Sequence, residues 1–74
     1  MKTYYFIFGQ AVESAYYNGG IKDVIKVIKK GDGYEIMSWN PDDNPNELLG
    51  VAIDWYGYAE ITEKEYKKLI NLQS

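Results

Sequence analysis

No cysteine occurs among the 74 residues, so neither a disulfide nor a thiolate-held metal can brace the fold. Whatever forms must rest on one apolar core. A chain of this size hides only about 60% of the surface its unfolded form exposes. That leaves mass for a single domain over residues 1–74 and none for a cleft between two. Secreted domains this small usually carry paired cysteines, which points to a cytoplasmic setting. The apolar opening from Met1 to Phe8 stops at Gly9 and Gln10, too soon for a signal segment or a membrane span, and no membrane association is expected.

Thr3 to Phe8 is dense in aromatic and β-branched residues and reads as a strand. Both of its faces are apolar, as in a central strand covered on each side. Gln10 to Tyr17 is open: Val12, Ala15 and Tyr16 line one side of a short helix, and a bulged continuation of the strand fits as well. Ile21 to Lys30 is either a strand or a helix. Ile21, Val24, Ile25 and Ile28 fall at i, i+3, i+4 and i+7 with the lysines outside, the pattern of an amphipathic helix. Glycine turns on both sides, Asn18-Gly19-Gly20 and Gly31-Asp32-Gly33, are hairpin punctuation and tip the reading to the strand.

Tyr34 to Trp39 alternates as a strand, and Asn40 to Asn46, with two prolines, is a loop that favours Asx-type turns. Leu48 to Trp55 and Tyr58 to Ile61 read as further strands around Gly57. Thr62 and Glu65 form a capping box that opens a helix from Glu63 to about Leu72, with Tyr66, Leu69 and Ile70 as its apolar stripe. The fold class is therefore α+β: a three- or four-stranded antiparallel meander with a C-terminal helix packed on one face. The run Tyr58 to Tyr66 is similar to the strand-then-capped-helix ending of many small bacterial and phage proteins. The likeness covers that run alone and carries no function.

Charge is unevenly distributed. All eight basic residues are lysines, and the net charge is −3. Residues 31–63 carry Asp32, Glu35, Asp42, Asp43, Glu47, Asp54, Glu60 and Glu63 with no lysine, while Lys22, Lys26, Lys29 and Lys30 crowd into residues 21–30 against Asp23. The acidic stretch repels a nucleic-acid backbone, and the lysine segment beside Tyr16, Tyr17 and Tyr34 lacks any arginine. Direct nucleic-acid binding is disfavoured on both counts.

Catalytic hardware is sparse. Without histidine, Ser14, Ser38 and Ser74 have no activating base, and Gly31-Asp32-Gly33 matches neither a phosphate loop nor a dinucleotide fingerprint. Asp42, Asn44 and Asn46 repeat the opening spacing of a calcium loop, but Glu47 stands where glycine is needed and Ile53 where a bidentate glutamate is needed. Carboxylate pairs such as Asp54 with Glu60 lack a cleft to shift a pKa. The expectation is a protein that is not an enzyme and uses neither cofactor nor metal.

Aromatic residues make up 16% of the chain. Tyrosine and tryptophan serve core and binding surface alike, and several of these lie beside the acidic loop or the Gly57 turn. The favoured reading is a protein-interaction module, a small acidic inhibitor docking a basic surface of a nucleic-acid-handling protein through Trp39, Asp42, Asp43, Glu47, Asp54, Trp55, Tyr56 and Tyr58, with Tyr56 and Tyr58 turned outward. Two alternatives stand beside it: a homo-oligomer that captures a small ligand or nucleotide, and a structural piece of a larger assembly.

Overall fold

A computed structural model describes residues 2–31, 33–43 and 57–73. The elements run β1 (Tyr4–Phe8), α1 (Gln10–Gly19), α2 (Ile21–Lys29), β2 (Glu35–Trp39), β3 (Tyr58–Ile61) and α3 (Glu63–Gln73). β1 is the central strand of a three-stranded sheet in the order β2-β1-β3, antiparallel to both neighbours. The α+β class, the antiparallel sheet and the C-terminal helix agree with the sequence. The strands do not form the expected meander: β3 pairs with β1 and not with β2, and β1 and β2 are joined through two helices in place of a tight turn.

Side chains on a strand point alternately to opposite faces. Tyr5 and Ile7 of β1 therefore share one face with Ile36 of β2 and with Ala59 and Ile61 of β3, their neighbours in register. This inner face meets the helices. Ile7, Val12, Val24, Ala59, Ile61 and Leu69 are buried together as the core, rimmed by Tyr5, Tyr16, Ile25, Ile28 and Tyr66. Each large side chain fully removed from water here, Ile7 and Leu69 above all, stabilises the fold by about 1.5–3 kcal/mol.

The turn from β1 into α1 takes one residue. Gly9 has φ 134°, and a Cβ there would lie 3.0 Å from Val12 Cγ2 and 3.2 Å from the carbonyl oxygen of Gly33, so only glycine fits. α1 ends at Gly20, whose amide donates to the carbonyl of Tyr16 at 2.8 Å, and α2 begins with the next residue. Gly20 adopts φ 77°, ψ −162°, a region essentially reserved for glycine.

Ile21–Lys29 is a helix, which overturns the preference for a strand. As a strand, Val24 and Ile28 would share a face with Lys22, Lys26 and Lys30. As a helix, Val24 is buried, Ile21, Ile25 and Ile28 are half-buried, and all four lysines are exposed. Burial of one coherent stripe outweighs the β-propensity of the branched residues. The glycine punctuation is real but serves helices: Gly20 separates α1 from α2, and Gly31, at φ 91°, follows α2 with its amide donating to the carbonyl of Ile28 at 3.0 Å. That is the usual use of glycine beyond a helix end. Gln10–Gly19 likewise resolves as helix, with Val12 buried and Ala15 and Tyr16 half-buried.

α3 starts as its capping box requires. The Glu65 amide donates to Thr62 Oγ1 at 3.1 Å, and the Thr62 amide donates to Glu65 Oε1 at 2.9 Å. Tyr66 and Leu69 face the core, but Ile70 is 37% exposed and lies outside the stripe expected for it. The expected strand Leu48 to Trp55 lies outside the described residues, as does the calcium-like spacing beyond Asp43.

Candidate interaction face

The sheet face turned away from the helices carries Tyr4, Phe6 and Phe8 from β1, Glu35, Met37 and Trp39 from β2, and Tyr58 and Glu60 from β3, as alternation and register dictate. Its rings fall into two groups. Tyr4 tilts against Trp39 with centroids 5.9 Å apart, Phe6 lies 6.3 Å from Phe8, and Tyr58 meets Phe6 edge-on at 5.8 Å. Such pairs add about 0.5–1.5 kcal/mol each beyond the area they bury. Phe6 and Phe8 are only 6% and 3% exposed, so the centre of this face is closed to solvent, while Tyr4, Met37, Trp39 and Tyr58 around it are half-buried.

The acids sit around these rings. Glu35 and Glu60 are exposed on the two flanking strands, and Asp42 and Asp43 are exposed in the turn that follows β2. That turn is an Asx turn of the kind expected from the sequence: Asn40 Oδ1 accepts the Asp42 amide at 2.9 Å, and the Asn40 carbonyl accepts the Asp43 amide at 3.1 Å. Lys2, held 4.8 Å over the Tyr4 ring, is the basic group nearest this set. The opposite side of the molecule is different in character, with Lys22, Lys26, Lys29 and Lys30 exposed along α2. Charge segregation along the chain has become segregation between the sheet side and the helix side.

Of the residues expected to bind a partner, Trp39 and Tyr58 share this face but stand at opposite ends of it, opposite Tyr4 and Phe8 respectively, roughly 13 Å apart along β1. Asp42 and Asp43 lie at the Trp39 end. Tyr58 is half-buried against Phe6 instead of projecting outward, and the most exposed described ring is Tyr17, at 66%, on α1. Glu47, Asp54, Trp55 and Tyr56 lie outside the described residues. The sequence reading passed over Glu35, Met37, Tyr4 and Glu60 as members of the face. The signal was present: every second residue of Tyr34 to Trp39 and of Tyr58 to Ile61 belongs to one side of a strand, and register does the rest.

Among the described residues, two open depressions flank the sheet ends. One, of about 400 Å³, is lined by Phe8, Gly9, Gly33, Tyr34 and Glu35. The other, of about 330 Å³, lies between the start of β1 and the turn from β3 into α3. The first has no lysine among its described lining residues, and the second has Lys2 beside Tyr4 and Tyr5. No polar or charged side chain among the described residues is buried, and none of them form a group of three or more metal-ligating side chains. Among the described residues, one titrating group departs from its ordinary behaviour. Burial, and secondly the bond its hydroxyl donates to Glu65 Oε1 at 3.1 Å, push Tyr16 above its usual 10.0. That contact ties α1 to the cap of α3, on the helix side and away from the acidic face.

Fold and face together define a small α+β domain with helices on one side of its sheet and an acid-rimmed aromatic layer on the other. Comparison with protein-family models, with curated proteins and with solved structures finds no match. No helix among the described residues is long and apolar enough to cross a membrane.

Proposed function

We propose that this chain is a non-enzymatic interaction module that docks the acidic side of its sheet on a basic surface of a partner protein, and that it inhibits a nucleic-acid-handling protein by occupying the groove that would hold the nucleic acid. The observation that carries this reading is the placement of Glu35, Glu60, Asp42 and Asp43, exposed around one half-buried aromatic face. Rigid rings surrounded by like charges offer contact area at low entropic cost and a field that steers an oppositely charged surface. The same field repels the nucleic acid itself.

The test is capture of basic proteins from a bacterial lysate on the immobilised chain, at about 50 mM and about 500 mM salt, where charge attraction is respectively strong and largely screened. Basic nucleic-acid-binding proteins are expected to be retained at low salt and released at high salt. They are also expected to be lost on the variant Glu35→Gln, Asp42→Asn, Asp43→Asn, Glu60→Gln. Unchanged capture by that variant would sink the proposal.

A further inference from the structure

We infer that α2 is a second docking element, whose lysine stripe lies along the major groove of duplex DNA and contacts its phosphates without reading the bases. This goes beyond the acidic-face reading and does not depend on it, since none of the four lysines belongs to the sheet.

The stripe is built by helix periodicity. Lys22, Lys26, Lys29 and Lys30 fall at i, i+4, i+7 and i+8 and are all exposed, on the side of α2 opposite the buried Val24. They occupy roughly 100° of the helix circumference over roughly 12 Å of its length. Asp23 is the acid on this helix. It pairs with Lys26 at 3.5 Å, and its carboxylate is turned back toward α1, where a Cβ on Gly19 would collide with it. Lys22, Lys29 and Lys30 have no ion pair among the described residues. α2 packs chiefly on α1, and Val24 is its one fully buried residue, so the lysine side stands clear of the core.

The shape and chemistry of this helix select the occupant. A helix about 10–12 Å across matches a B-form major groove about 12 Å wide, which places phosphates on either side of the lysine arc. α2 carries no aromatic ring and no Asn, Gln or Arg, so it offers neither a platform on which unpaired bases stack nor a fork that reads paired ones. Lysine meets phosphate as a point charge on a flexible stem.

The net charge of −3 opposes a polyanion, but the field that reaches the groove is local. Glu35 and Glu60 lie on the outer face of the sheet, while α2 sends Val24 into the core on the inner side. The molecule measures 34 × 24 × 22 Å, and exposed charges farther apart than about 10 Å are largely screened at about 0.1 M salt. Along the chain the lysines are outnumbered by the acids that follow them. Gathered on one helix, they act together.

Fluorescence anisotropy of a labelled, random-sequence DNA duplex of about 20 base pairs, titrated with the full chain, tests this. Binding is expected at roughly 1–100 μM protein in about 50 mM salt, and about 100-fold weaker in about 200 mM, since four phosphate contacts give a logarithmic salt slope of roughly −3.6. The variant Lys22→Gln, Lys26→Gln, Lys29→Gln, Lys30→Gln should lose the binding, and lysine-to-arginine replacement at the same four positions should keep both affinity and slope. Circular dichroism confirms that both remain folded. The variant Glu35→Gln, Asp42→Asn, Asp43→Asn, Glu60→Gln should bind the duplex at least as well as the parent, so failure of the acidic face and failure of the stripe are distinguishable. No binding at about 1 mM protein, undiminished binding by the glutamine variant, or tighter binding of the single strand than of the duplex would overturn the inference. Competition by polyglutamate as effective as that by unlabelled duplex would also overturn it, and would make the stripe a site for an acidic protein.

Discussion

The helices α2 and α3 have nearly the same length and are held in place by different means. α3 carries its own start signal, with Thr62 and Glu65 exchanging hydrogen bonds across its first turn and a salt bridge from Lys67 to Glu63 at 3.4 Å one turn on. α2 has no side-chain cap. It depends on Val24 reaching the core and on Gly20 turning the chain sharply enough to lay it against α1. One helix is specified by neighbours in sequence and the other by neighbours in space. Changes to α3 should therefore stay local, and changes to the turn before α2 should be felt across the helical layer.

The largest effect is expected at Gly20. No atom lies within 4 Å of where a Cβ would be, so the cost of Gly20→Ala is conformational, about 1–3 kcal/mol. For a domain of this size that lowers the melting temperature by at least about 4 °C. A synthetic chain with D-alanine at this position, whose mirror-image preference suits a positive φ, should melt at least as high as the parent. If both forms melt alike, packing rather than backbone geometry holds α2 in place.

Thr62→Ala comes next. It removes one half of the capping box for about 1 kcal/mol, and faster amide exchange should be confined to the first turn of α3. Exchange that quickens equally in α2 would erase the contrast between the two helices.

Tyr16→Phe is the smallest, at about 0.5–1 kcal/mol, because Glu65 keeps its bond to the Thr62 amide when the phenol is lost. Its signature is in pH. The Tyr16 hydroxyl is raised above 10.0 in the fold, so the protonated phenol is the form that the fold favours. Its contribution is complete below pH 10.0 and is lost as pH rises through the folded-state value. Urea titrations of parent and variant should differ at neutral pH and converge in strongly alkaline solution. A constant difference would mean that the hydroxyl makes no bond of consequence.

The same contrast explains which parts of the molecule were legible in the sequence. Thr62 and Glu65 announce α3 within four residues, and Tyr34 to Trp39 and Tyr58 to Ile61 announce strands by alternation. Ile21 to Lys30 could not be settled that way, because β-branched residues at helical spacing satisfy two local rules at once and only burial of Val24 beside Ile7 and Leu69 decides between them. The acidic character of residues 31–63 was visible. Its assembly around the rings of one face was not, because Glu35 and Glu60 become members of that face only through their registers with Phe8 and Phe6, residues far away in sequence.

The central position of β1 bears on how the protein is made. Of the three described strands, the first to be synthesised is the one on which the other two pair. It cannot complete its bonding until Ile61 has been added, a wait of roughly 3–10 s at about 5–20 residues per second. Through that interval Phe6, Ile7 and Phe8 have no completed sheet to enter, and their shelter during synthesis depends on how soon α1 and α2 fold back over them.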